Sequence, residues 1–407
     1  MWKPELLAPA KNLERLKVAI TYGADAVYIG GQKYGLRARA DNFTADDLEQ
    51  AVTFAHAHNA KVYVTLNAFP HDEDLEGLEQ YCQFLDGIGV DAVIVSDLGM
   101  IRMIQRSSNL NIHLSTQASC LNSYAGQLWK KLGVQRLIVG REVSIAESGL
   151  ICKTADIEVE MFTHGAMCMA YSGHCTISNF TAGRDSNRGG CIQSCRFPYQ
   201  IESKSEHSQT PVTFMSSKDL WGVNQIEAFF QHRICSLKIE GRMKSAFYVA
   251  TTCRAYRQLI DAYANHQLTP SLRNQIAAEL ESVPHRDYST GSLEQAAGSD
   301  SVYQQFHSNN TGTHEYLGLV MAVTADKIIL QLFEPLKLGD TIEIIPVQGE
   351  PIHWVVNQLF SIVGDSITSM RKDSIVCLPK SPETIPLNQV QKLNVIRIVK
   401  TPAAIKA

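Results

Sequence analysis

No stretch of this chain reaches the roughly 18 consecutive apolar residues that a membrane-spanning helix needs, which excludes that class of protein. The opening residues, MWKPELLAPAKNLERL, have neither the apolar core nor the small-residue cleavage site of a secretory signal, so a cytoplasmic location and reduced thiols are expected. Catalytic signatures are also scarce. His314-Glu315 starts a zincin motif but lacks the second histidine, no Gly-x-Ser-x-Gly elbow occurs, and the glycine-rich dinucleotide fingerprint is missing. Nor does any Cys-x-x-Cys pair occur, although that spacing is usual in structural zinc knuckles.

What is present is an ordinary globular composition, 45% hydrophobic and 19% charged over 407 residues, enough for more than one domain. The net charge of -4 gives no general affinity for polyanions, but its distribution is uneven. Between Arg184 and Arg257 eleven Lys/Arg face six Asp/Glu, an excess compatible with a basic face that meets RNA or an acidic metabolite.

Over the first 262 residues short apolar runs alternate with amphipathic helical patterns about every thirty residues, the rhythm of a parallel sheet with crossover helices. Strands are expected at Glu5–Ala8, Ala26–Gly30, Val62–Leu66, Ala92–Ser96, Ile112–Ser115, Leu137–Gly140, Glu158–Thr163 and Leu237–Glu240, with a ninth candidate at Thr213–Ser217. Asn12–Tyr22 reads as a helix, and Thr44 with Asp47 as a capping box. Eight such units predict an α/β fold, a TIM-like (β/α)8 barrel, with a Cys-rich insertion at 164–196. Residues 263–312 read as a polar, helix-containing linker. Across 313–401 the period changes to two, at Leu317–Val323, Ile328–Leu332, Thr341–Ile345 and Trp354–Gln358, which predicts a small C-terminal β-barrel with a turn at Gly339-Asp340.

In such a barrel the chemistry lies at the C-terminal ends of the strands. Arg37, Asn67, Arg141, His164, Glu240 and Arg242 follow or close predicted strands there. Four cysteines, Cys168, Cys175, Cys191 and Cys195, fall within 28 residues, with six, fifteen and three residues between successive members. Four thiolates complete either an iron-sulfur or a zinc site, and the wide, irregular spacing favours the cluster over zinc or unligated thiols. Cys82, Cys120, Cys152, Cys253 and Cys377, scattered singly among apolar residues, read as core fillers.

The run from Glu160 to Ser178, EMFTHGAMCMAYSGHCTIS, resembles the signature of peptidase family U32. So do Arg184 to Phe197, Phe214-Met-Ser-Ser-Lys218-Asp219-Leu, Ser236-Leu-Lys238-Ile-Glu240-Gly-Arg242 and, near the start, Glu5-Leu-Leu-Ala-Pro-Ala. Despite its name the family includes oxygen-independent hydroxylases of tRNA, of ribosomal RNA and of ubiquinone precursors. The resemblance implies a 4Fe-4S cluster on Cys168, Cys175, Cys191 and Cys195, with Cys235 in reserve because relatives differ in their last two ligands. The pattern is most similar to the branch that hydroxylates the wobble uridine of tRNA to 5-hydroxyuridine with prephenate as co-substrate. A collagenase-like peptidase is the alternative, but a His164–Cys168 dyad would make a cluster ligand the nucleophile.

On this reading Arg37, Asn67, Arg141 and Arg242 are candidate substrate-binding residues, the arginines as carboxylate clamps. Glu160, His164, Lys238 and Glu240 are candidate acid-base or positioning groups. RNA would meet the basic residues Arg184, Arg188, Arg196, Lys244, Arg254 and Arg257, with the C-terminal β-barrel as a second surface. A homo- or hetero-oligomer is compatible with the sequence.

Overall fold

The computed structural model describes residues 2–36, 42–200, 211–305, 312–380 and 389–400. Seven parallel strands follow one another with helices between them: β1 (Glu5–Pro9), β2 (Ala26–Ile29), β3 (Lys61–Leu66), β4 (Ala92–Val95), β5 (Asn111–Leu114), β6 (Arg136–Ile138) and β7 (Glu158–Ala166). The interleaved helices are α1 (Leu13–Thr21), α2 (Ala45–Ala57), α3 (Leu78–Gly87), α4 (Leu98–Ser107), α5 (Ser123–Lys131) and α6 (Ile145–Ala155). Local chemistry starts them: Asn12 caps α1, while Thr44–Asp47 and Ser144–Glu147 form capping boxes that satisfy otherwise orphaned N–H groups of α2 and α6.

After β7 the chain leaves the barrel. It forms the cysteine-bearing lobe with α7 (Ile177–Ala182), then β8 (Asp219–Trp221), which lies antiparallel on β7, and α8 (Ile226–Gln231). Then β9 (Ser236–Ile239) pairs in parallel with both β7 and β1 and closes an eight-stranded barrel. All eight expected strands are found, within a residue or a few at their ends. Thr213–Ser217 is not one of them: its Ser217 makes a single bridge to Val302. α9 (Ala246–Ala264) and α10 (Pro270–Leu280) follow, and β10 (Tyr288–Ser289) extends the β8 ribbon. No described helix is long and apolar enough to cross a membrane.

The remaining residues form a curled antiparallel sheet of seven strands around its own apolar core. In chain order its elements are β11 (His314–Val323), β12 (Lys327–Leu332), β13 (Leu336–Lys337), β14 (Thr341–Ile345), β15 (Ile352–Val355), β16 (Phe360–Ser361), β17 (Ser369–Met370), β18 (Ile375–Pro379) and β19 (Val395–Val399), with β13 and β17 forming a separate ribbon. The fourth strand begins at Ile352 rather than Trp354, because the hairpin aligns Ile352 with Ile344 on β14.

The sheet is fastened to the barrel by buried polar contacts. The Tyr22 hydroxyl donates to the Ile345 carbonyl at 2.6 Å and accepts from the Val395 amide at 2.9 Å. Arg397 joins Glu343 on β14 at 2.7 Å to Glu279 on α10 at 2.8 Å. Tyr22→Phe keeps the ring but strands a buried amide and carbonyl, so it is expected to lower stability by roughly 1–3 kcal/mol. Urea denaturation checks this, as an earlier midpoint with little change in slope.

Candidate active site at the cysteine-covered mouth

Inward-facing residues at the C-terminal ends of the strands surround a cavity of about 200 Å³. Tyr28, Thr65, Ile138, Phe162 and Lys238 come from the strands themselves, and Asn67, Arg141, Glu240 and Arg242 from the loops that follow them. The lobe after β7 forms its roof with Cys168, Cys175, Cys191 and Cys195. Residues remote in sequence thus meet as the rim position implies.

Below the cavity the barrel interior is charged, where such barrels usually hold branched apolar side chains. Lys238 Nζ lies 2.8 Å from Glu160 Oε1, and Arg136 approaches the other oxygen at 3.4 Å. Arg136 also pairs with Glu5 at 2.6 Å and Glu158 at 2.8 Å. Glu5 in turn accepts from Tyr63 and Ser236. Glu160 is wholly buried and does not line the cavity, so its part is to hold Lys238 from beneath rather than to touch a substrate. The Lys238 ammonium also sits 4.4 Å from the Tyr28 ring centroid, and the Tyr28 hydroxyl donates to Glu240 at 3.1 Å.

Besides Arg196, three guanidinium groups line the cavity and differ in their commitments. Arg242, 5% exposed, reaches Asn42 at 2.6 Å and Thr65 at 3.4 Å. It occupies space left by Gly30, where an added Cβ would stand 2.7 Å from its nitrogens. Arg286 is salt-bridged at 3.0 Å to the buried Asp219. Arg141 stacks on Phe162 at 4.2 Å, and among the described residues its side chain has no ion pair and its buried Nε no hydrogen-bond partner. A cation so placed favours an anionic ligand.

Arg286 escaped sequence reading, because it belongs to the polar stretch that reads as a linker. A signal existed: Asp219 in the Ser-Ser-Lys-Asp motif, if buried, needs a cationic partner. Arg37 lies outside the described residues.

All four thiols line the cavity, and the other three lie near enough to Cys195 to act on it. Burial raises the Cys195 thiol pKa, Arg196 opposes this, and Cys168, Cys191 and Cys175 each add a smaller upward push. Gly173 allows the loop from Cys168 to Cys175 to lie against the barrel: its φ is +77°, and a Cβ there would fall 1.9 Å from the Gln117 carbonyl oxygen. Among the described residues no three His, Cys, Asp or Glu side chains converge as tightly as a single metal ion requires. The four cysteines of the roof are soft donors, the ligand type that iron-sulfur clusters and zinc both take. Cys235 cannot join them, since it precedes β9 at the opposite mouth, its sulfur 3.8 Å from Glu158.

His164 is turned away from the cavity. Opposite β9 the register shifts between Phe162 and His164, a bulge that reverses the inward alternation. The imidazole is packed among Trp221, Tyr248, Tyr256 and Tyr288, and burial pulls its pKa down to about 3, helped by His285 and Lys244. It therefore has no contact with Cys168 suited to a dyad. Because the unfolded chain binds this proton near the ordinary value of 6.5 and the folded chain only near 3, stability is expected to fall as pH drops through that window. Thermal melts of His164→Phe should show a weaker decline over the same range than the parent protein.

The basic stretch does not make one RNA-facing patch. Arg188 is paired with Asp74 at 2.6 Å, Arg257 with Asp25 and Asp261, and Lys244 donates to the Pro284 carbonyl. Arg196 and Arg254 are bonded to backbone carbonyls, Arg196 to those of Met167 and Ser217 and Arg254 to that of Gly349. Among the described residues Arg184 alone of the six has neither ion pair nor side-chain hydrogen bond.

Comparison with known proteins agrees with this architecture. The chain is 40% identical over 401 residues to tRNA hydroxylation protein P1 of Bacillus subtilis, covering 96% of this chain and 95% of that one. It is 32% identical to the 23S rRNA 5-hydroxycytidine C2501 synthase of Escherichia coli, over 84% of this chain and 52% of that one. A Porphyromonas gingivalis protein named collagenase is also 32% identical, over 64% of this chain and 66% of that one. The family model described as Peptidase family U32 matches residues 11–302, and with the full-length likeness to the Bacillus protein this shows that the chain belongs to peptidase family U32.

Proposed function

We propose that this protein is a tRNA hydroxylase that converts wobble uridine to 5-hydroxyuridine without oxygen gas, using prephenate as co-substrate and a 4Fe-4S cluster on Cys168, Cys175, Cys191 and Cys195. The observation that carries the reading is the meeting, in one cavity, of four thiols and the uncompensated guanidinium of Arg141. The near full-length relative named for tRNA hydroxylation supports the substrate class. Replacing a ring C–H by C–OH adds an oxygen atom and removes two electrons from the base, so without oxygen gas the reaction needs an oxygen donor and a two-electron acceptor, the part this proposal gives to prephenate, and ordinary side chains do not drive the change. An iron-sulfur cluster supplies one-electron chemistry when bound.

The chain's own residues bind and orient. Arg141, Lys238 and Arg242 present positive charge to a dicarboxylate, with Glu160 fixing Lys238 and Asn42 fixing Arg242. Glu240, steadied by Tyr28, is the carboxylate on the wall and the candidate proton acceptor. Proteolysis finds no such footing, since His164 is shut inside its aromatic box away from the cysteines.

Protein purified without air is expected to hold iron and acid-labile sulfide in equal amounts, about four of each per chain. Cys191→Ser should lower both. Arg141→Ala should keep them and raise the prephenate KM roughly ten- to a hundredfold, the loss of one charge-assisted hydrogen-bonding group. Absence of iron, or normal 5-hydroxyuridine in tRNA from cells lacking the gene, defeats the proposal.

A further inference from the structure

The lobe that roofs the cavity exposes aromatic side chains that its own packing does not use. Within residues 167–200, Tyr171 is 51% exposed, Phe197 45% and Phe180 87%, the last more than any other large hydrophobic side chain described. Tyr171 lines the mouth of the cavity. Phe180 stands on α7 one turn beyond Ile177, which also lines the cavity, so the two share a side of that helix.

Charge on the lobe is one-sided. Three arginines accompany a single acidic residue, Asp185, between 167 and 200. Arg188 holds the lobe to Asp74 of the barrel and Arg196 bonds the backbone of Met167 and Ser217, whereas Arg184, just beyond α7, has no such partner among the described residues.

Exposed aromatic rings set among small polar residues, on a lobe that carries one carboxylate of its own and an arginine with no ion pair among the described residues, suit one class of partner well. Unstacked bases lie on aromatic faces while their phosphates meet arginine. A protein partner would be better served by a continuous apolar face, and Thr181, Ala182 and Gly183 next to Phe180 do not form one. We infer that Phe180 and Tyr171, with Arg184, form a stacking surface for unpaired nucleotides flanking the base that enters the cavity. This rests on the reading of RNA as substrate, and it assigns recognition to the cysteine lobe rather than to the basic stretch as a whole or to the C-terminal sheet.

The test uses the full-length, cluster-loaded protein and two RNA probes, a stem-loop with a single-stranded loop and a fully paired duplex of equal length. Phe180→Ala should weaken stem-loop binding roughly 5- to 150-fold, leave duplex binding and iron content unchanged, and be rescued by Phe180→Trp. Arg184→Ala should reduce the slope of log affinity against log salt by about 0.7, whereas Phe180→Ala should not alter it. Stem-loop affinity equal to the parent's, or an equal loss on both probes, overturns the stacking surface. A change in self-association instead of RNA affinity does so as well, by assigning the ring to a protein contact. If the parent protein binds neither probe, the RNA-substrate reading itself fails, and the two failures are thereby separated.

Discussion

The parallel pairing of β7 with β9 is the constraint on which the site depends. Those strands are joined through a long excursion, yet they lie side by side in the closed barrel, with Glu160 opposite Ser236 and Phe162 opposite Lys238. That register places Glu160 beneath Lys238, so that an ammonium group projects into the cavity with its counter-charge buried below it. Taking one partner from a buried pair typically costs about 3–5 kcal/mol, because the other charge is left without compensation. The same excursion returns across the barrel mouth and brings the four cysteines over the opening. Closure of the sheet, placement of the lysine and formation of the roof are therefore consequences of a single pairing.

The bulge in this pairing separates His164 from the cavity into which sequence alternation would send it. Without it His164 would follow Glu160 and Phe162 into the barrel. With it the ring is carried to the outer side, into a cage of aromatic groups where its charged form is strongly disfavoured. The cavity keeps a different chemistry: cations on the wall, one carboxylate from Glu240 and soft sulfur overhead. Anion binding and thiolate ligation can thus operate side by side, with acid-base groups held by neighbours rather than left mobile.

Much of this was legible beforehand because local rules agree with the fold. Eight β-α units announce themselves by periodicity, and capping chemistry at Thr44 and Ser144 marks helix starts directly. The gathering of four cysteines was also legible, since they lie too close together in sequence for scattered core fillers, and the fold brings all four to one cavity. The individual duties of the charged residues were not. Glu160 is a support and Arg196 a strut binding carbonyls, while Arg286 arrives at the cavity from the stretch read as a linker. Charge excess along a sequence says nothing about which basic groups the fold already engages: Arg188 and Arg257 meet carboxylates, whereas Lys244 and Arg196 meet backbone carbonyls.

The sequence by itself determined the barrel, the β-rich C-terminal part, the clustering of thiols and the family, since each is written in spacing between near neighbours or in short motifs. Only the tertiary structure decided that Cys235 lies at the far mouth, that His164 faces outward and that Arg141 has no counter-ion among the described residues. Those outcomes depend on strand register and on contacts between segments far apart in the chain, and neither is encoded in any local pattern.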